Sequence, residues 1–350
     1  MSKELSKTLW RTILPILLSV GVAMWLFRRD IDSATLRSIV FDSHTIIGIC
    51  LALLFVFGRD FGLAWRFHTI ADGDLTWKRA WRTDIMCAFT SAITPSVVGG
   101  SALAIFYLNR EGIKLGRATA LTLTTLFLDE LFFVVFCPVI LLILPWDDLF
   151  GMPGLEAGGS ELFLGGVKLM FWLVYAGICV WTAILYIAII GRPEASQRVL
   201  KHIASWRWLR RWHEHIEAMA DNMVATSSWV KGRSLRWWAQ VFGGTVLSWF
   251  SRYFMVNALF WAFVPAASGL LVFGRQFVVW VVLMVSPTPG GSGISEWLFA
   301  NYYGDLIGDL GIAAVLALVW RLFSYYIYLI AGVALLPGYF GKKARNNCQS

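Results

Sequence analysis

The chain has 350 residues, of which 58% are hydrophobic and 15% are charged, and its formal net charge is +8. A soluble protein of this length could not bury so much apolar surface, so the composition excludes a soluble globular protein. The basic residues flank apolar stretches, which favours membrane topology and anionic lipid headgroups, not nucleic acid, as the reason for the positive charge.

Apolar runs of about 18 residues or more predict helices that cross a hydrocarbon layer about 30 Å thick. We expect six spanning helices, over 9–27, 39–57, 118–144, 165–190, 238–264 and 310–337. Two further apolar segments, 83–108 and 271–303, are interrupted by proline and glycine. The predicted fold is an all-α polytopic membrane protein, with one integral membrane domain over 1–350.

Both broken segments carry a proline–glycine turn between apolar arms. The first reads Thr-Pro-Ser-Val-Val-Gly-Gly-Ser over 94–101, and the second reads Ser-Pro-Thr-Pro-Gly-Gly-Ser-Gly over 286–293. Such residues stop a helix, and a membrane tolerates irregular backbone only where protein buries it or a wet cavity receives it. Broken helices at matching places in two halves indicate the substrate site of a transporter.

Loop charge predicts opposite orientations for the two broken segments, because Lys and Arg stay in the cytoplasm. The basic stretches 58–82, which contains Arg59 and Arg66, and 109–117 flank the first segment, so it should enter from the cytoplasm and return there. The acidic loop 145–163 and the loop with Asp305 and Asp309 indicate that the second segment enters from outside. Two re-entrant hairpins of opposite sense would form an inverted-topology repeat, with both termini in the cytoplasm.

The long polar stretch 191–236 is basic and amphipathic. Its apolar residues recur every three or four positions from Ile203 to Met223, with arginines around them. This pattern is typical of a helix that lies flat at a membrane interface. Ordinary packing on the cytoplasmic side is the alternative.

The candidate substrate-binding residues combine the two turns with charges inside the spans. Helix N-termini after the turns would offer free N–H groups to a phosphate, with Ser101 and either Ser292 or Ser295 as N-caps. Arginine binds phosphate bidentately, although a structural ion-pair network is the alternative for these buried charges. The predicted set is Pro95, Gly99, Gly100, Ser101, Glu130, Arg252, Pro289, Gly290, Gly291, Ser292, Glu296 and Arg321.

Three stretches resemble the membrane domain of lysylphosphatidylglycerol synthases and the stand-alone flippase-like proteins related to it. They are Thr94–Gly100 running on to Tyr107–Ile113, Pro287–Gly293 followed by Glu296, and Arg321 with Tyr325 and Tyr326. The resemblance extends over about 10–340 and implies movement of a lipid between leaflets. Substrates in that family are aminoacylated phosphatidylglycerol, other phospholipids or isoprenoid-linked sugars. Because the chain stops shortly after its last helix, without an aminoacyl-transfer domain, we do not expect lysine transfer.

The sequence therefore favours a flippase for a phospholipid or an isoprenoid-linked phosphate lipid in a bacterial inner membrane. We expect membrane lipids as partners, no nucleic acid, no cofactor and no enzymatic activity, since Walker, zinc and nucleophile-elbow motifs are lacking. One alternative is an intramembrane headgroup transferase with Asp129, Glu130 or Glu296 as base. The other is an accessory subunit that docks a lipid-biosynthesis enzyme through 191–236.

Overall fold

A computed structural model describes residues 41–94, 98–151, 160–204, 227–288 and 290–346, and the single residues 21, 217, 221 and 224. Within these ranges the chain forms helices and connecting turns and no strand, so the predicted all-α class is confirmed for them. The predicted helix over 9–27, apart from residue 21, lies outside the described residues. So do Pro95, Pro289 and residues 205–216 of the amphipathic stretch.

Thirteen helices are used below to place the site. They are α1 Ser43–Ile70, α2 Trp77–Ile93, α3 Val98–Arg110, α4 Leu115–Ile143, α5 Trp146–Phe150, α6 Ser160–Tyr186, α7 Pro193–Ala204, α8 Leu235–Phe263, α9 Gly269–Leu283, α10 Ile294–Tyr302, α11 Gly304–Ile307, α12 Leu310–Arg321 and α13 Ile327–Asn346. A π-helical turn, Ile187–Gly191, extends α6, and a second one, Leu322–Tyr326, joins α12 to α13.

Four stretches of the described chain are long and apolar enough to cross a membrane. They are Ser43–Ile70, Leu115–Ile143, Gly165–Gly191 and Gly311–Leu336. They correspond to four of the six predicted spans. The predicted span over 238–264 corresponds to α8, which is a continuous helix of 29 residues. The protein is therefore a multi-pass helical membrane protein.

The predicted end of the second span at residue 57 was wrong. Helix α1 continues to Ile70, so Arg59 and Arg66 lie inside it and not in a cytoplasmic loop. Arg66 is only 4% exposed. A buried charge of this kind needs a partner, and such partners come from other helices, which loop-charge counting does not consider.

Ion pairs and hydrogen bonds connect neighbouring segments at each of the two ends of the bundle. At one end Arg117, at the start of α4, donates to Ala71 O at 2.9 Å, and Arg233, just before α8, donates to Asp72 at 2.9 Å. At the other end Arg275 of α9 binds the segment after α4 and the segment after α10. We call these the basic end and the acidic end, since the second contains Asp147, Asp148, Asp305 and Asp309.

Helices α1 and α8 lie antiparallel and in close contact along their length. Small residues face each other at intervals, and a Cβ built on the glycines of α1 would come within 2.5–2.8 Å of the partner helix. The contacts join Gly48 to Ala262, Gly58 to Ser251, and Gly62 to Gly244. Small residues allow two backbones to approach in this way inside a membrane.

Contacts join the two arms of each broken segment. Arg79 near the start of α2 lies 3.6 Å from Glu111, just after α3, at the basic end. Arg275 in α9 binds Asp305, just after α10, through Nη2 at 2.7 Å, at the acidic end. An aromatic cluster fills the acidic half of the bundle; it includes Phe132, Phe133, Tyr253, Phe273, Phe277 and Phe299.

Candidate functional site

The two proline–glycine turns meet inside the bundle. The amide of Gly290 donates to the carbonyl oxygen of Thr94 at 3.3 Å, and the hydroxyl of Tyr325 donates to Ala92 O at 3.2 Å. Gly290 has a φ of +56°, and a Cβ there would lie 2.4 Å from the Tyr325 ring. Only glycine combines this backbone conformation with so close an approach, so the contact explains the residue.

A buried ion pair occupies the start of α10. Glu296, which is 0% exposed, accepts from the Gly293 amide and the Ser295 hydroxyl, both at 2.8 Å. Arg321 Nε donates to Glu296 Oε1 at 2.9 Å, and its Nη2 donates to Gly290 O at 3.1 Å. This is the glutamate half of a capping box, and the carboxylate itself fills the anion site of the helix N-terminus.

The predicted N-caps were wrong for both helices. Gly293, which has no side chain to accept a hydrogen bond, is the N-cap of α10, and its own amide donates to the Glu296 side chain. Helix α3 begins at Val98, so Ser101 lies within its first turn and not at the cap. The Ser292 hydroxyl instead accepts from Arg321 Nη2 at 3.3 Å.

A cavity of about 270 Å³ lies beside the meeting point of the turns. It is lined by α1, α2, α4, α8, the end of α9, the second turn and the π turn that joins α12 to α13. Its polar and charged lining includes Arg59, Arg66, Asp84, Ser91, Thr125, Asp129, Glu130, Ser248, Arg252, Arg321, Ser324, Tyr325 and Tyr328. Phe133 of the aromatic cluster and Trp280, which packs against that cluster, also line the cavity.

Besides Arg321, two further arginines of the cavity are paired. Arg66 Nη1 donates to Asp129 Oδ1 at 2.7 Å and to Thr245, while the indole of Trp249 donates to the same aspartate oxygen at 3.0 Å. Arg59 Nη1 lies 3.1 Å from Asp60 Oδ1, and its guanidinium covers the Tyr328 ring at 4.1 Å. These pairs offset the cost of burying charge.

Three cavity residues, Arg252, Asp84 and Glu130, have ionisable side chains that the described residues do not fully pair. Arg252 lies between the rings of Trp249 and Trp280, 4.6 and 4.4 Å from their centroids, with no carboxylate in ion-pair range among the described residues. Within the same part of the chain, Asp84 Oδ2 and Glu130 Oε2 are buried without a hydrogen-bond partner. Unsatisfied charged groups around a cavity are typical of a site that binds a polar ligand.

The structure brings part of the predicted set together. Glu130, Arg252, Gly290, Gly291 and Arg321 line the one cavity. Ser292 and Glu296 are joined to it through Arg321. Gly99, Gly100 and Ser101 belong to the first turn of α3, and Pro95 and Pro289 lie outside the described residues.

Sequence reasoning missed Arg59, Arg66 and Asp84. A usable signal was present, because Arg59 and Arg66 are seven residues apart and so share one face of a helix. Seven-residue spacing of cations within an apolar run indicates a polar face turned towards the bundle interior.

The comparisons with known proteins agree with these motifs. The chain matches the family described as the lysylphosphatidylglycerol synthase TM region over residues 12–332. It is 23% identical over 252 residues to a UPF0104 membrane protein of Archaeoglobus fulgidus, covering 70% of this chain and 71% of that protein. No solved structure matches. The resemblance drawn from the two turns and the last helix is confirmed, and the chain belongs to the family of the lysylphosphatidylglycerol synthase transmembrane region.

Proposed function

We propose that this protein is a flippase that moves a phosphate-bearing lipid, either a phospholipid or an isoprenoid-linked lipid, between membrane leaflets. The observation that carries the proposal is the meeting of two proline–glycine turns beside a charged cavity of about 270 Å³. A cavity of this size suits a lipid headgroup and not two acyl chains. The headgroup would enter the cavity while the tails stay in the bilayer.

The lengths of the hairpin arms support two re-entrant segments. At 1.5 Å per residue, α2 and α3 measure about 26 and 20 Å, and α9 and α10 about 23 and 14 Å. Each arm is shorter than the hydrocarbon layer of about 30 Å, and each segment returns to the end at which it began. The 29-residue α4, about 43 Å long, connects those two ends.

The antiparallel pairing of α1 with α8 supports an inverted repeat. These helices precede the first and second broken segments respectively, so a two-fold axis between them would relate the two halves in opposite orientations. We place the basic end in the cytoplasm and the membrane as the bacterial inner membrane. Single cysteines introduced at Lys114 and Asp309 should then label from opposite sides; labelling from one side would exclude this topology.

A lipid translocation assay tests the proposed function. Purified protein would be reconstituted in vesicles with fluorescent phosphatidylglycerol or a fluorescent isoprenyl phosphate, and dithionite would report the fraction of label that reaches the outer leaflet. We expect faster exchange than in protein-free vesicles, and loss of that gain in Gly290→Leu, which fills the junction of the turns. Gly308→Leu is the matched control, because Gly308 also has a positive φ but faces open space. Exchange no faster than in protein-free vesicles for either lipid would overturn the proposal.

An intramembrane headgroup transferase is the second candidate. The observation that favours it is the unpartnered Glu130 oxygen in the cavity, since a general base needs a free acceptor. Asp129 and Glu296 are weaker candidates for the base because arginines already bind them. Formation of a modified lipid by the purified protein, lost in Glu130→Gln, would favour this function over translocation.

A further inference from the structure

A second, smaller space adjoins the main cavity. It measures about 10 Å³ and is lined by Val56, Arg59, Arg252, Met255, Phe323, Ser324 and Tyr328, four of which also line the main cavity. A space of this size holds about one water-sized group. Two arginines therefore border one gap that fits one oxygen atom or one small ion.

Two tryptophan rings that meet at 84° hold Arg252 on adjacent sides of its guanidinium. The rings of Trp249 and Trp280 contact the guanidinium at the distances given above. Its Nε is buried without a hydrogen-bond partner in the described chain. Guanidinium donors lie in the plane of the group and match the oxygens of phosphate or carboxylate. Arg252 lines the gap and thus brings an unused planar donor to it.

Ser324 supplies a third donor. Threonines in the regular helices, such as Thr90, Thr122 and Thr124, donate to the carbonyl four residues earlier. Ser324 lies in the π turn between α12 and α13, and its buried hydroxyl has no partner within the described residues. π turns interrupt the regular carbonyl ladder and often occur at functional sites.

We propose that Arg59, Arg252 and Ser324 form an anion site that holds one oxygen of the headgroup phosphate, the rest of which lies in the main cavity. Among the described residues Asp60 pairs with Arg59 only, so the two arginines at the gap carry one positive charge more than Asp60 balances, and an anion in the gap would balance it. Arg59 Nε and Arg252 Nε are both buried without partners in the part of the chain described, so each has a donor to offer. This inference deepens the proposed function, because it assigns the headgroup contact to these residues and not to the N-terminus of α10.

Phosphate binding to the purified protein in detergent tests the site without any transport. Inorganic phosphate, titrated by calorimetry, should bind saturably. We expect Ser324→Ala to weaken binding about tenfold, since it removes one hydrogen bond to a charged group. Arg252→Lys keeps the charge but loses the planar donor edge, so we expect a loss of at least about tenfold. Arg236→Ala, an exposed arginine on the same helix, should bind like wild type.

The outcomes separate the site from the function. Ser324→Ala removes no packing, so weaker phosphate binding at an unchanged melting temperature supports the site. Equal binding by wild type and both site variants, or no phosphate binding by wild type, overturns it. Competition by a short-chain phosphatidylglycerol supports the lipid headgroup as the ligand, and its absence overturns that assignment in favour of a free ion. Phosphate binding without lipid exchange in vesicles would support the site and overturn the flippase.

Discussion

The buried pair of Glu296 and Arg321 gives the sharpest test of the structure. The two side chains are 0% and 5% exposed, so removing one charge leaves the other in the bundle without a counter-ion. Arg321→Met should therefore lower the free energy of unfolding by about 3–5 kcal/mol, and Glu296→Gln should have a cost of similar size. The double variant leaves no unpaired charge, so we expect it to recover at least about 2 kcal/mol of the summed losses.

Unfolding in mixed detergent and SDS micelles, followed by tryptophan fluorescence, provides the four free energies of the cycle. Additive losses would refute the reasoning, because independent sites do not couple. Lipid exchange by the double variant then separates two roles of Arg321. If the double variant folds and exchanges lipid like wild type, the role of Arg321 is to hold the second turn in place. If it folds but does not exchange lipid, Arg321 binds the headgroup.

Three further predictions concern packing and the acidic end, each measured by the same unfolding assay. Gly62→Ala places a methyl group against the backbone of α8 and should destabilise by about 1–3 kcal/mol, whereas Gly177→Ala, which faces open space in α6, should be neutral or stabilising. Gly290→Ala should cost more than Gly308→Ala, since both strain a positive φ but only the first also contacts the Tyr325 ring; equal costs would contradict the described junction of the turns. Arg275→Lys should cost about 3 kcal/mol, because one ammonium cannot reach all the acceptors of the guanidinium; a neutral effect would contradict the described network.

Features that are local in sequence were predictable. Helix α2 ends at Ile93 and α9 at Leu283, each just before a proline–glycine stretch, because proline and glycine act on their own backbone. The role of Glu296 was also readable, since it lies three residues after Gly293, in the first turn before an apolar run, where a carboxylate can bind the N-cap amide. Reading that spacing would have predicted that a side chain, and not a ligand, occupies the start of α10.

Features that depend on distant partners were not predictable from one sequence. Arg66 looks like a loop cation until it is paired with Asp129, 63 residues further along the chain. Arg252 and Arg321 are alike in sequence, since each follows a long apolar run. Their roles differ because Arg321 meets Glu296, whereas Arg252 meets two tryptophan rings. Helix packing decides which arginine keeps free donors.

The Arg275 guanidinium has a mechanical consequence for the acidic end. It donates to the carbonyls of Asp148 and Gly151 after α4, to Tyr302 O at the end of α10, and to the Asp305 carboxylate, while remaining 1% exposed. Three segments of the chain are thus joined by one guanidinium, and separating any of them would leave a buried cation without some of its acceptors. If the protein opens on that side, these segments must move together as one rigid body. The opening must then form between other helices.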